Sequence, residues 1–230
     1  MNDFALKAYR AAYTDAKIGK EDIFYYVYGI LHSPEYKTRF AADLTKMLPR
    51  IPLAEDFRAF SQVGHKLAEI HLNYETAKPY PVKEQRDELV LDDKKLYLVE
   101  KMRFGKKNVG RVPSHGDGKT ETAASGDAAY NTKDAKVDKS VIHYNPHITL
   151  TGIPLAAYDY VVNGKPALEW IMERYQITVD KDSGLRNDPN DLAREHNQAR
   201  YILDLLKRIV RVSLETMKIV NALPALNERK

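Results

Sequence analysis

Asp180, Asp182 and Gly184 open a polar run whose alternating carboxylates imitate the start of a calcium loop. Such a loop needs glycine at its sixth position and a bidentate glutamate at its twelfth. Here glycine falls one place early and Asp191 holds the last position, so the spacing does not make a calcium site. Gly118-Lys119-Thr120 has the ending of a phosphate-binding loop, but Pro113 stands where the first glycine is required and no apolar strand leads in. Asn145-Pro146-His147 begins like the catalytic tetrapeptide of amino-methyltransferases. His147 and Ile148 occupy the places of its second proline and its aromatic residue, so a turn between strands is the simpler reading. Asp92-Asp93-Lys94-Lys95 contains the D-x-K triplet of many nucleases, which Asp15-Ala16-Lys17 and Asp134-Ala135-Lys136 match equally well. His143 and His147 lack an acidic partner at metal-ligand spacing, and His65 and His71 fall along one helix. No nucleophile, base and orienting group assemble. Catalytic residues and metal ligands are therefore assigned to none of the chain.

Binding chemistry is what the residue types support. Lys101 and Arg103 share one face of an expected strand, and Lys106, Lys107, Arg111 and Lys119 follow in a loop. Lys181, Arg186 and Asn187 stand in the polar run after the Trp170 helix. Arginine reads guanine bidentately, asparagine reads adenine and lysine contacts phosphate, so these nine residues are the candidate DNA-binding set. The competing reading is a solvated surface, because acidic residues are interleaved with the basic ones.

The elements that must position them change character along the chain. Asp3 to Tyr13 reads as a short helix with Phe4, Ala8 and Ala12 on one side. The run Ile23 to Leu31 is apolar nearly all round and is expected at the domain centre. Ser33-Pro34 caps a helix that ends before Pro49, and Pro49 with Pro52 enforces an extended corner. Phe57, Phe60, Gly64, Leu67 and His71 then trace an amphipathic helix. In the middle, Leu96 to Phe104 alternates as a strand. Residues Gly105 to Lys136 have the composition of a long loop. Ser140 to Tyr144 and Ile148 to Thr151 resume strand patterning.

After Pro154, Asn163-Gly164 marks a tight turn. Pro166 opens a helix carrying Leu168, Trp170, Ile171, Met172 and Tyr175, read as core, with Asp180 to Asp191 as its exposed loop. Arg200 to Ala222 keeps helical spacing as a buttress closed by Pro224. The expected fold is α+β in one unit over 1–230. A helical part covers 1–75, an antiparallel β part 95–151 with its inserted loop at 105–136, and a helical part 152–230.

The 230 residues are 43% hydrophobic and 30% charged, enough apolar content for a substantial core. A net charge of +4 permits a polyanionic partner without requiring one. With no cysteine, disulfides and thiolate metal sites are excluded. Neither a signal-peptide pattern nor a run of membrane-spanning length is evident, so the expected location is the cytoplasm, away from membranes.

The wording of several segments narrows the function. IFYYVYGILHSPEY, AADLTKMLPRIPL, VEKMRF, NPHITLTGIP, YVVNGKPALEWIMERYQ, DKDSGLRNDPND and SLETMKIVNALPAL together closely resemble the C-terminal region of Type ISP restriction-modification enzymes. They occur in that family's order and span nearly the whole chain. The family's enzymes are large single polypeptides combining a nuclease, a helicase-like ATPase, a helical coupler, an adenine methyltransferase and a terminal target recognition domain. The resemblance implies that this chain is mainly that last part: a sequence-specific module for double-stranded DNA, non-catalytic by itself and without a cofactor. Its partners would then be DNA and the methyltransferase and motor regions of a parent ATP-dependent restriction enzyme. It transfers no base-reading residue. The alternatives are a structural coupling or docking domain of the same enzyme, a truncated remnant without independent activity, and an independent nuclease using Asp92 to Lys95.

Overall fold

Helix α1 (Asp3–Tyr13) and helix α2 (Lys20–His32) show how this chain builds its helical part. The Asp22 carboxylate accepts the Gly19 N–H at 2.8 Å, closing the start of α2 where the first backbone donors lack partners. Along α2, Ile23, Tyr26, Gly29 and Ile30 are buried at helical spacing, while Phe24 is 58% exposed. The expectation that this helix is buried all round is therefore corrected: it lays one face on its neighbour and keeps the other in solvent. On α1 Phe4 is exposed, and Leu6, Tyr9 and Tyr13 face the core instead. In this computed structural model, residues 3–47, 49–107 and 137–229 are described.

Two compact units share the chain. One comprises Met1–Tyr80, Ala156–Glu169 and Asp204–Lys230; the other comprises Pro81–Leu155 and Trp170–Leu203. In the first unit, Ser33 caps α3 (Pro34–Arg39), and the chain breaks at Phe40 before α4 (Ala41–Thr45), so the single helix expected there is two short ones. Helix α5 (Phe57–Leu72) matches its expected span and packs along α2. Gly29 and Gly64 sit at that contact, where a Cβ on Gly64 would lie 1.8 Å from the Tyr25 carbonyl oxygen. The proline corner is held by tyrosines. Tyr26 Oη donates to the Pro52 carbonyl at 2.6 Å and accepts the Ala54 N–H at 2.7 Å, Tyr13 donates to the Ala54 carbonyl, and Tyr36 donates to the Arg50 carbonyl. These bonds satisfy a proline-broken backbone that enters no regular element, including the buried Ala54.

The same unit holds the β5 (Val161–Val162) and β6 (Lys165–Pro166) hairpin. Asn163 and Gly164 both have positive φ, at 49° and 78°, which is what a two-residue hairpin turn requires. Helices α7 (Ala167–Arg174) and α9 (Tyr201–Val220) carry the chain from one unit to the other. Trp170 itself is half-buried, with the Arg174 guanidinium 5.4 Å from its ring centre. Of the basic residues on the outer face of α9, Arg208 and Arg211 donate to the carbonyls of Ala77 and Lys78, binding the strap that follows α5.

The second unit contains a four-stranded antiparallel sheet made of β1 (Lys83–Arg86), β2 (Arg103–Lys106), β3 (Val137–His143) and β4 (Ile148–Thr151). Its strand order is β1-β4-β3-β2. Strand β1, all polar, was not legible from alternation. The strand expected over Leu96 to Phe104 is corrected: Asp92 caps a short helix α6 (Asp93–Leu96), and β2 begins only at Arg103. The Asp180 to Asp191 loop is corrected too, since it contains β8 (Arg186–Asn187), which pairs with β7 (Thr178–Val179) just before it, and the start of α8 (Asn190–Glu195).

Candidate nucleic-acid interface

Pleating divides the four-stranded sheet into two chemically different faces. On one face lie buried Ile142, Ile148 and Leu150. The Asn145 turn between β3 and β4 fixes this face to the segment around α6. Its side-chain amide donates to the Leu96 and Leu98 carbonyls and its oxygen accepts from the N–H groups of His147 and Ile148, while Tyr144 donates to the Tyr97 carbonyl. Asn145-Pro146-His147 is thus a structural turn, as its departures from the methyltransferase motif implied. Glu84, at the β1 edge of this face, is clasped by Arg86 and by Arg200, whose guanidinium lies 4.9 Å from the Tyr97 ring centre.

The opposite face is polar. Register places Gln85 beside Thr149, Thr149 beside His143 and His143 beside Arg103, one residue from each strand. Gln85, His143 and Arg103 are exposed, and Thr149 is half-buried between them. The next rung carries Lys83, Thr151 and Val141. No carboxylate stands in either rung. His143 Nδ1 and Thr149 Oγ1 are 3.0 Å apart, which fixes the imidazole ring on this face. Among the described residues no carboxylate pairs with Arg103, whereas Arg58, Arg86, Arg186, Arg194 and Arg200 each have one. A cation with no carboxylate partner among the described residues, in a rung that carries no carboxylate, suits an external anion.

The nine candidate residues divide accordingly. Arg103 joins this face, and Lys106 and Lys107 are exposed at the far end of β2, past a register shift between Phe104 and Gly105. Lys101 is exposed just before β2. There Asn190 grips the backbone of Val99 on both sides, and the Ile177 N–H reaches the Glu100 carbonyl at 2.9 Å. The β7–β8 hairpin is therefore anchored beside Lys101. It displays Lys181 in its turn and Arg186 and Asn187 on β8, all exposed, although Arg186 also lies 3.4 Å from Asp188. Arg111, Lys119 and the Gly118-Lys119-Thr120 run lie outside the described residues.

Asp180 organises that turn. One carboxylate oxygen accepts the N–H groups of Asp182 and Ser183 and the Ser183 hydroxyl, and these bonds hold its carboxyl below the usual carboxylate range. No group of three or more potential ligands that could hold a metal occurs among the described residues. Asp92 is likewise occupied as the cap of α6, accepting the Lys94 N–H at 3.0 Å. Sequence reasoning missed Gln85, Thr149 and His143. The alternation of Ile148-Thr149-Leu150-Thr151 does signal a polar second face, but only register shows which residues share it.

A family model described as the Type ISP C-terminal specificity domain matches residues 1–205. Among solved structures, a nuclease-deletion mutant of the Type ISP restriction-modification enzyme LlaGI, in complex with a DNA substrate mimic, is 36% identical with a TM-score of 0.71. That match covers 93% of this chain and 17% of the LlaGI chain. The ATP-dependent Type ISP enzyme LlaBIII bound to DNA is 33% identical with a TM-score of 0.72, over 93% of this chain and 12% of that one. A cryo-electron microscopy structure of a DrdV–DNA complex is 32% identical with a TM-score of 0.71, over 97% of this chain and 20% of that one. No curated protein matches. The chain spans a fifth or less of these structural relatives, and it belongs to the Type ISP C-terminal specificity domain family.

Proposed function

We propose that this chain is a sequence-specific target recognition module for double-stranded DNA, non-catalytic by itself, serving the methyltransferase and motor regions of an ATP-dependent restriction-modification enzyme. The observation that carries the reading is the polar face of the sheet, whose two registered rungs hold no carboxylate, on a chain of the specificity-domain family. Lys101, Lys106, Lys107, Lys181 and Arg186 supply charge for phosphates, which sets register on the duplex without reading sequence. Asn187 adds a side chain of the type that reads adenine. The relatives LlaGI, LlaBIII and DrdV were each solved with DNA or a DNA mimic, which supports the same partner here.

The test is fluorescence anisotropy of the 230-residue chain with a pool of random duplexes, from low to physiological salt. Binding that weakens steeply as salt rises is expected, because each neutralised phosphate releases counterions. Absence of binding at low salt would overturn the reading.

A docking role in the parent enzyme has one observation in its favour. Leu89 and Leu91 are 90% and 92% exposed in a turn flanked by Asp87, which accepts the Leu89 N–H and pairs with His147, and by Asp92. Self-association of the chain that disappears on changing both leucines to serine would support it.

A further inference from the structure

We propose that Arg103, His143 and Gln85 are the base-reading side chains of the sheet face and that Thr149 is a positioning residue which sets the His143 ring. This deepens the recognition reading above and rests on it. Register puts the four residues in a single rung crossing the whole sheet. With strands about 4.8 Å apart, such a rung spans roughly 14 Å, or about four base-pair steps at 3.4 Å each. Its members differ in reach. A major groove is about 8.5 Å deep, so long side chains that end in hydrogen-bonding groups can approach base edges while a threonine cannot. Arg103 and Gln85 stand on the two edge strands, β2 and β1, and His143 lies inside them on β3.

Each reader has a distinct chemistry. Arg103 offers a guanidinium fork with no described carboxylate partner, matched to guanine O6 and N7. Gln85 offers a donor and an acceptor on one amide, matched to adenine N6 and N7. His143 has Nδ1 engaged with Thr149 Oγ1 at 3.0 Å, which leaves Nε2 for a base. Thr149 thereby acts on recognition through His143, as a partner on one ring nitrogen fixes what the other presents. Lys83, one rung away, has no pair of directional groups and serves as the phosphate-contact comparison.

The experiment selects bound sequences from a random duplex pool with the unaltered chain, then measures affinity for the selected site and for every single base-pair change in it. The same measurement is made for Arg103→Ala, His143→Ala, Gln85→Ala, Thr149→Val and Lys83→Ala, with thermal melting to verify folding of these surface variants. Each reader variant is expected to lose discrimination at its own base pair by about 5- to 150-fold while retaining it elsewhere. Thr149→Val should relax the same position as His143→Ala, and Thr149→Ser should restore it. Lys83→Ala should weaken all sequences alike. If the unaltered chain is selective and the reader variants keep its full preference profile, the inference falls while the recognition function stands. Binding by the unaltered chain without any base preference also overturns the inference, and absence of binding to any duplex overturns both.

Discussion

The side-chain amide of Asn190 pairs with the main chain of Val99 as a neighbouring strand would, accepting its N–H at 2.9 Å and donating to its carbonyl at 2.8 Å. Val99 is fully buried, so its two backbone groups have no water to turn to. One side chain therefore sets the path of the segment that delivers Lys101 and Arg103.

Asn190→Ala should strand both groups of Val99. Leaving a buried donor and acceptor unsatisfied costs on the order of 2–4 kcal/mol in total. A lowered urea midpoint and faster hydrogen exchange at the Val99 amide would register it. Asn190→Asp should not rescue, because it keeps the acceptor but sets a carboxylate oxygen against the Val99 carbonyl.

Gly64→Ala should be among the most damaging single-methyl changes in the first unit. Its Cβ would fall 1.8 Å from the Tyr25 carbonyl oxygen and 2.9 Å from the Gly29 nitrogen, and backbone at a helix contact cannot step aside as a side chain can. A loss of roughly 3 kcal/mol or more is expected. Gly19→Ala is the control: a Cβ there would meet only the Asp22 carboxylate at 3.6 Å, so a loss under about 1 kcal/mol is expected. Equal melting temperatures for the two variants would contradict this account.

His71 makes the first unit sensitive to acid. Its Nδ1 lies 2.7 Å from Tyr28 Oη, its Nε2 lies 2.9 Å from Thr216 Oγ1, it stacks on Tyr160, and His32 is close by. Burial, with a smaller contribution from His32, pulls its pKa down to about 4. The unfolded chain holds a proton that the folded chain refuses, so this contribution is complete above about pH 6.5 and is lost as pH falls toward 4. His32, lowered mainly by its own burial, acts in the same direction. After allowance for partial exposure the loss is about 1–2 kcal/mol. Urea titrations between pH 7 and 4 should show that slope, and His71→Gln should flatten much of it.

The hairpin triple variant Lys181→Ala, Arg186→Ala, Asn187→Ala should weaken DNA binding and reduce the dependence of log affinity on log salt by up to about 2, one unit for each phosphate contact removed. Arg186 also pairs with Asp188, so its share of that change is expected to be the smaller. An unchanged slope would move the phosphate footprint to Lys101, Lys106 and Lys107.

Local chemistry made much of the fold legible. Ser33-Pro34 and Asn163-Gly164 act through their own backbone preferences, and α5 and α9 carry helical apolar spacing long enough to fix their identity. Resemblance in several ordered segments named the family as well. Short-range alternation misled at Leu96 to Phe104. There Asp92 capping and the grip of Asn190 on Val99, 91 residues away in sequence, override strand patterning.

The candidate site shows the same division. Arg103 and Lys101 stand out by residue type, and the hairpin residues Arg186 and Asn187 by their polar run. Gln85 carries no signal of its own, since a polar strand such as Lys83–Arg86 has no apolar alternation to betray it, and the alternation around Thr149 does not say which residues share its face. The sequence by itself determined the long helices α2, α5 and α9, the Ser33-Pro34 and Asn163-Gly164 signals and the family. Only tertiary structure decided which polar residues share a surface, because cross-strand register joins residues separated by dozens of positions and no local rule contains that pairing.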